Sequence, residues 1–67
     1  MNFDVAYYYA RYASVLAALS RPEQNNCPEV IEIQAELKRV YGGDPILMSI
    51  VAENEAICSD QGATPAP

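Results

Sequence analysis

The stretch AYYYARYASVLAAL, residues 6–19, contains four tyrosines and one charged residue, Arg11. Its alanines and leucines favour a helix, and neither proline nor glycine interrupts it. Asn2 stands where a helix N-cap is expected, so we predict a first helix over residues 3–20. A helix that is apolar around most of its circumference has more surface to bury than one neighbouring helix can cover.

Two groups of turn-forming residues divide the rest of the chain, at residues 21–26 and at Gly42-Gly43. Pro28 suits the first position of a helix, because proline there loses no helical hydrogen bond. We therefore predict a second helix over residues 28–41. Gly42 is expected to close it in the left-handed conformation that glycine adopts readily.

The third helix is expected to open at Asp44 and Pro45, an N-cap followed by a proline in the first turn. It is predicted over residues 45–58, and residues 59–67 read as a flexible tail because they carry no apolar period. Within residues 1–58 the pattern predicts one all-α domain of three helices. In it the long N-terminal helix packs on an antiparallel helical hairpin, with no strand.

A helical wheel of the first helix has one broad apolar face and a flanking stripe of alanines. The broad face, which we predict to be the core, consists of Val5, Tyr8, Tyr9, Tyr12, Val15, Leu16 and Leu19. Two short helices can cover only about two flanks of the first helix, so the third flank is predicted to contact a partner. The predicted contact residues, for a homodimer or another protein, are Ala6, Tyr7, Tyr9, Ala10, Ala13 and Ala17.

The tyrosines of this helix admit three interpretations. They are residues at the edge of the core with hydroxyls in water, contact residues for a partner, or the lining of a ligand pocket. No convergent polar groups accompany them, which disfavours the pocket, and we expect no cofactor.

The two cysteines, Cys27 and Cys58, stand at the outer ends of the predicted hairpin. Two equal antiparallel arms bring these ends together, so the sequence predicts a disulfide and an oxidising compartment, periplasmic or secreted. The alternative is a pair of unpaired thiols in a cytoplasmic protein. The chain has no histidine and no Cys-x-x-Cys, so a metal site is not expected.

Charge and length exclude several functions. The 67 residues carry a net charge of -5, with nine acidic and four basic residues, which argues against binding nucleic acid or an anionic membrane. No uninterrupted apolar run approaches the length of a membrane span. Without histidine, the commonest general base is missing, so catalysis is not expected.

The sequence leaves two main functional hypotheses. The first is an interaction module that self-associates or docks into a larger assembly through the first helix. The second is a small acidic inhibitor or immunity-type protein that blocks a basic site on a partner. Its candidate contact face consists of Glu29, Glu32, Glu36, Glu53 and Glu55. A membrane-associated helix is a weaker third option.

Overall fold

The computed structural model of the chain describes residues 2–60, which form three α-helices: α1 (Phe3–Leu19), α2 (Cys27–Tyr41) and α3 (Pro45–Asp60). Each helix packs against the other two. The predicted all-α class is confirmed, since the described residues contain no strand beyond an isolated bridge between Arg21 and Gln24 in the α1–α2 turn.

Side-chain caps fix the starts of two helices where the sequence predicted them. Asn2 Oδ1 accepts a hydrogen bond from the Val5 N–H at 2.9 Å. Asp44 Oδ1 accepts from the N–H groups of Ile46 and Leu47 at 2.9 and 3.0 Å. These caps satisfy backbone donors that have no partner inside the first turn of a helix.

The start of α2 is fixed by the loop before it. The Ser20 hydroxyl, which is buried, donates to Asn25 Oδ1 at 2.7 Å and accepts from the Asn26 N–H at 2.8 Å. Asn25 Oδ1 also accepts from the Cys27 N–H at 3.0 Å. The end of α1 and the beginning of α2 are thereby joined through three consecutive residues and one hydroxyl.

The turn after α2 differs from the prediction. Gly42 has φ -57° and ψ -23°, a right-handed conformation, so the expected left-handed closure is wrong. A Cβ at Gly42 would lie 2.6 Å from the Lys38 carbonyl oxygen, whereas one at Gly43 would have no atom within 4 Å. Glycine is required at residue 42 by close approach of the backbone.

The third helix is longer than predicted. It continues to Asp60, two residues beyond Cys58, near which the sequence predicted its end. Residues 61–67, the rest of the predicted tail, lie outside the described residues.

The centre of the core is the alanine stripe of α1. Ala6, Ala10, Ala13 and Ala17 are all 0% exposed. Two apolar clusters surround them, the first from Leu37, Leu47, Ile50 and Val51, the second from Val30, Cys27 and Cys58. Small side chains allow α2 and α3 to approach the same face of α1 closely, and that face is therefore the buried one.

This packing reverses the prediction for α1. Of the residues predicted to form its core face, Leu16 is half-buried and the other six are exposed. Side-chain size and hydrophobicity alone would favour burial of the tyrosine face. Close packing of the helix axes instead favours burial of the face with small side chains, and close packing prevails here. On the other helices Val30, Leu37, Leu47 and Val51 are buried, while Val40 and Ile46 are exposed.

Candidate interaction surface on the first helix

The face of α1 opposite the alanine stripe carries a row of large apolar side chains. Val5, Tyr8, Tyr12, Val15 and Leu19 follow one another at steps of three, four, three and four residues, and we call this row the outer seam. All five are exposed, with Tyr8 at 65%, Val15 at 55% and Leu19 at 59%. The outer seam is therefore an apolar surface that α2 and α3 leave uncovered.

A shallow groove borders the outer seam on the side of α2. Tyr9, Ile33, Glu36 and Leu37 line it, and its volume is about 210 Å³. The Tyr9 ring contacts the Tyr8 ring edge-on, with centroids 5.8 Å apart. The groove, through Tyr9, and the outer seam, through Tyr8, therefore meet at this ring contact and form a continuous surface.

The opposite border is occupied by contacts within the chain. The Tyr7 ring stacks on Phe3, with centroids 6.4 Å apart, and the Arg11 guanidinium lies 5.5 Å from the centre of the Tyr7 ring. Arg11 Nε also donates to the Tyr7 hydroxyl at 3.2 Å. Although partly exposed, Tyr7 is held by neighbours of its own helix and is not part of the outer seam.

The predicted contact residues therefore fall into two groups. The four alanines are fully buried between the helices, so they cannot meet a partner without unfolding the domain. The packing therefore contradicts the prediction that these alanines contact a partner. Tyr7 and Tyr9 are exposed, and Tyr9 borders the outer seam.

The five acidic residues of the alternative contact face lie on α2 and α3, and one of them, Glu36, lines the groove that borders the outer seam. Glu36 accepts hydrogen bonds from Arg39, which lowers the pKa of the Glu36 carboxyl below its ordinary value. Glu55 pairs with Lys38 at 2.9 Å. Two of the five acidic residues in the alternative contact face are thus engaged by cations of the chain itself, while Glu29, Glu32 and Glu53 are exposed.

A buried polar contact, which sequence reasoning missed, fixes α3 against α1. Asn54 is 1% exposed, and its Nδ2 donates to the Ala10 carbonyl oxygen at 3.2 Å. The Ser14 hydroxyl lies 2.8 Å from Asn54 Oδ1 and 3.0 Å from the same carbonyl oxygen, so its single proton can be donated to either acceptor. Such buried hydrogen bonds specify the rotation of a helix because an apolar contact has no preferred direction.

The position of Asn54 could have been recognised in the sequence. It follows Ile50 and Val51 by four and three residues and precedes Cys58 by four, so it lies on the apolar stripe of α3. Gln34 occupies the matching position on α2, where it is 3% exposed, and its Oε1 has no hydrogen-bond partner among the described residues. A polar residue on an apolar stripe is the available signal for a buried polar contact.

The predicted disulfide is present in the structure. Cys27 and Cys58 are bonded, with Cα atoms 5.8 Å apart, and both residues are buried. The bond joins the start of α2 to the last turns of α3 and packs against Ala13, Ala17 and Val30. It closes the α2–α3 hairpin at the end opposite the Gly42-Gly43 turn, as the hairpin geometry predicted.

Residues 2–60 contain no group of three or more metal-ligating side chains, and none of the three helices is long and apolar enough to cross a bilayer. Comparison with known proteins gave no match to a protein-family model, a curated protein or a solved structure.

Proposed function

We propose that this protein is a non-enzymatic interaction module that docks onto a partner helix through the outer seam of α1. One observation carries the proposal. The helix buries four of its five alanines and displays its largest apolar side chains, so the surface richest in tyrosine, valine and leucine faces outward.

The extent of the exposed surface supports docking. The outer seam together with Tyr9 exposes roughly 600 Å² of side-chain surface, as large as the biggest apolar patch usually found on a monomer. Tyrosine is enriched at interfaces because its ring buries a large area while its hydroxyl accepts or donates a hydrogen bond at the rim. A row of five large apolar residues, two of them tyrosines, on one helix suits the groove or helix face of another protein.

The acidic inhibitor is the weaker candidate. Its contact face is divided between two helices, and Arg39 and Lys38 engage Glu36 and Glu55. A basic partner would have to displace Arg39 and Lys38 in order to bind the carboxylates of Glu36 and Glu55. The buried disulfide fits an interaction module of the periplasm or the extracellular space, where such bonds persist.

Affinity capture from the native source tests the proposal. Val15→Glu places a charge in the middle of the outer seam, and Ile46→Glu is the matched control because Ile46 is an equally exposed apolar residue on α3, 59% exposed against 55% for Val15. We expect Val15→Glu to lose a specific partner that the wild type and Ile46→Glu retain, at low and at high salt. If the wild type and both variants capture the partner equally, docking through this face is refuted. If all three capture it at low salt and lose it at high salt, the result favours the acidic face.

A further inference from the structure

We propose that the helix covering the outer seam is α1 of a second copy of this chain, packed antiparallel, with Tyr8 opposite Leu19 and Tyr12 opposite Val15 of the other copy. The inference rests on the proposed function and names its partner. Four layers of side chains would form around a two-fold axis that passes between Tyr12 and Val15.

The spacing of the outer seam is the first argument. Steps of three and four residues, repeated from Val5 to Leu19, place one residue at every a and d position of two heptads. A left-handed pair of helices requires this repeat, whereas a surface in contact with water does not. The exposed apolar residues of α2 and α3, such as Ile31 and Ile46, form no comparable row.

The sizes of the side chains select the register. The antiparallel register centred between Tyr12 and Val15 sets a tyrosine against an aliphatic residue in each of its four layers. A parallel pair would instead place tyrosine on tyrosine and valine on valine, so that crowded and empty layers alternate. Shifting the antiparallel pair by one heptad, with Tyr8 opposite Tyr12, brings Arg11 beside Arg11 of the other copy.

Charge also favours contact between copies through α1. Two chains of net charge -5 repel each other, but Asp4 and Arg11 are the only charged residues of α1 and their charges cancel. All six glutamates lie outside α1: Glu23 is in the α1–α2 loop and the other five are on α2 and α3, where Glu36 lines the groove beside Tyr9. Joining two copies at the outer seam therefore brings together their neutral faces, and antiparallel packing sets the opposite ends of the two helix dipoles side by side.

The available area predicts a dimer of modest affinity. The exposed surface of roughly 600 Å² on each copy gives a total of about 1,200 Å², at the lower limit of specific, stable interfaces. We expect a dissociation constant of roughly 1–100 μM, since small interfaces form weak complexes.

Sedimentation equilibrium of the purified oxidised chain tests the inference directly. Protein concentrations from about 1 μM to about 1 mM span the expected dissociation constant. The wild type should pass from the 7.3 kDa monomer to twice that mass. Tyr12→Glu and Val15→Lys should each weaken association at least about tenfold, because each leaves an unpaired charge in the interface. Both positions are exposed in the monomer, so the helical circular dichroism should not change.

An equimolar mixture of these two variants tests the register. In the proposed register the two substituted side chains lie opposite each other as an ion pair, and the other central layer keeps Tyr12 against Val15. The mixture should then associate more tightly than either variant alone. Ile46→Glu, the matched control on α3, should dimerise as the wild type does.

Three results would overturn the inference: a wild type that is monomeric at 1 mM, which is about tenfold above the weakest expected dissociation constant, dimers that Tyr12→Glu and Val15→Lys leave intact, or a mixture that associates no better than its components. If the purified chain is monomeric while Val15→Glu still abolishes capture of a different protein from the native source, the second copy is refuted and docking through the outer seam stands. If capture is also insensitive to Val15→Glu, both proposals fail.

Discussion

Reduction of the Cys27–Cys58 bond should remove a large part of the stability of this domain. The bond joins residues 31 positions apart, and for a loop of this length the chain-entropy treatment gives about 3.5–4 kcal/mol. A domain of this size has a total free energy of unfolding of roughly 3–10 kcal/mol. We therefore expect the reduced chain to be marginally folded at room temperature.

Thermal and urea unfolding, followed by far-ultraviolet circular dichroism, measure this effect. The midpoint temperature should fall by roughly 15–30 °C on reduction. Because both cysteines are buried, the reductant must be added in urea and the chain then refolded; added to the native protein, it should react only as fast as the domain opens. Reduction of the wild type isolates the cross-link, since it keeps both sulfur atoms in the core.

The double variant Cys27→Ala, Cys58→Ala is the companion measurement. It loses the cross-link and also the packing of both sulfurs against Ala13, Ala17 and Val30, so it should be less stable than the reduced wild type. Oxidised and reduced wild type that melt within a few degrees of each other would refute the reasoning. That result would mean that the unfolded chain already holds the two cysteines close together, or that they are not bonded in the protein.

Four further substitutions test the packing. Ala13→Glu should abolish the helical circular dichroism, not merely association, because the site is fully buried and an unpaired charge there costs several kcal/mol. Gly42→Ala should lower the urea midpoint because its Cβ meets the Lys38 carbonyl oxygen. Gly43→Ala should leave the free energy of unfolding unchanged or raise it by up to about 1 kcal/mol, because a Cβ there meets no atom. Asn54→Ala should cost about 1–3 kcal/mol in the same assay through the hydrogen bonds it makes to α1, and a smaller change would mean that water replaces them.

The sequence predicted the features that depend on neighbouring residues. Caps at Asn2 and Asp44 need only three or four consecutive residues, and the Cys27–Cys58 pairing needs only two helices of similar length and a short turn. All of these were correct. They follow from the chain's local geometry and not from competition between surfaces.

The orientation of α1 could not be predicted because it depends on how two other helices share one face. On a helical wheel, the face of Tyr8 and Tyr12 is a stronger candidate for burial than the face of Ala10 and Ala13. The wheel does not consider how closely the helix axes approach, and in the structure the alanine face is the buried one. The hydrogen bonds of Asn54 to α1 also select the alanine side, and they join residues 40 and 44 positions apart. The sequence therefore assigned the tyrosine face to the core and the alanine stripe to the surface, which is the reverse of the burial in the structure.

The closed α2–α3 hairpin also determines how the domain responds to mechanical force. When the chain is pulled from its two ends, tension passes from Cys27 directly to Cys58 through the sulfur atoms, and the 31-residue path through the hairpin carries none of it. About 100 Å of contour length stays hidden from the pulling device, at roughly 3.3–3.6 Å per residue. Among residues 2–58, α1 and its connecting loop are the part that extends, so a stretched oxidised molecule loses the helix that bears the outer seam and keeps the other two tied together.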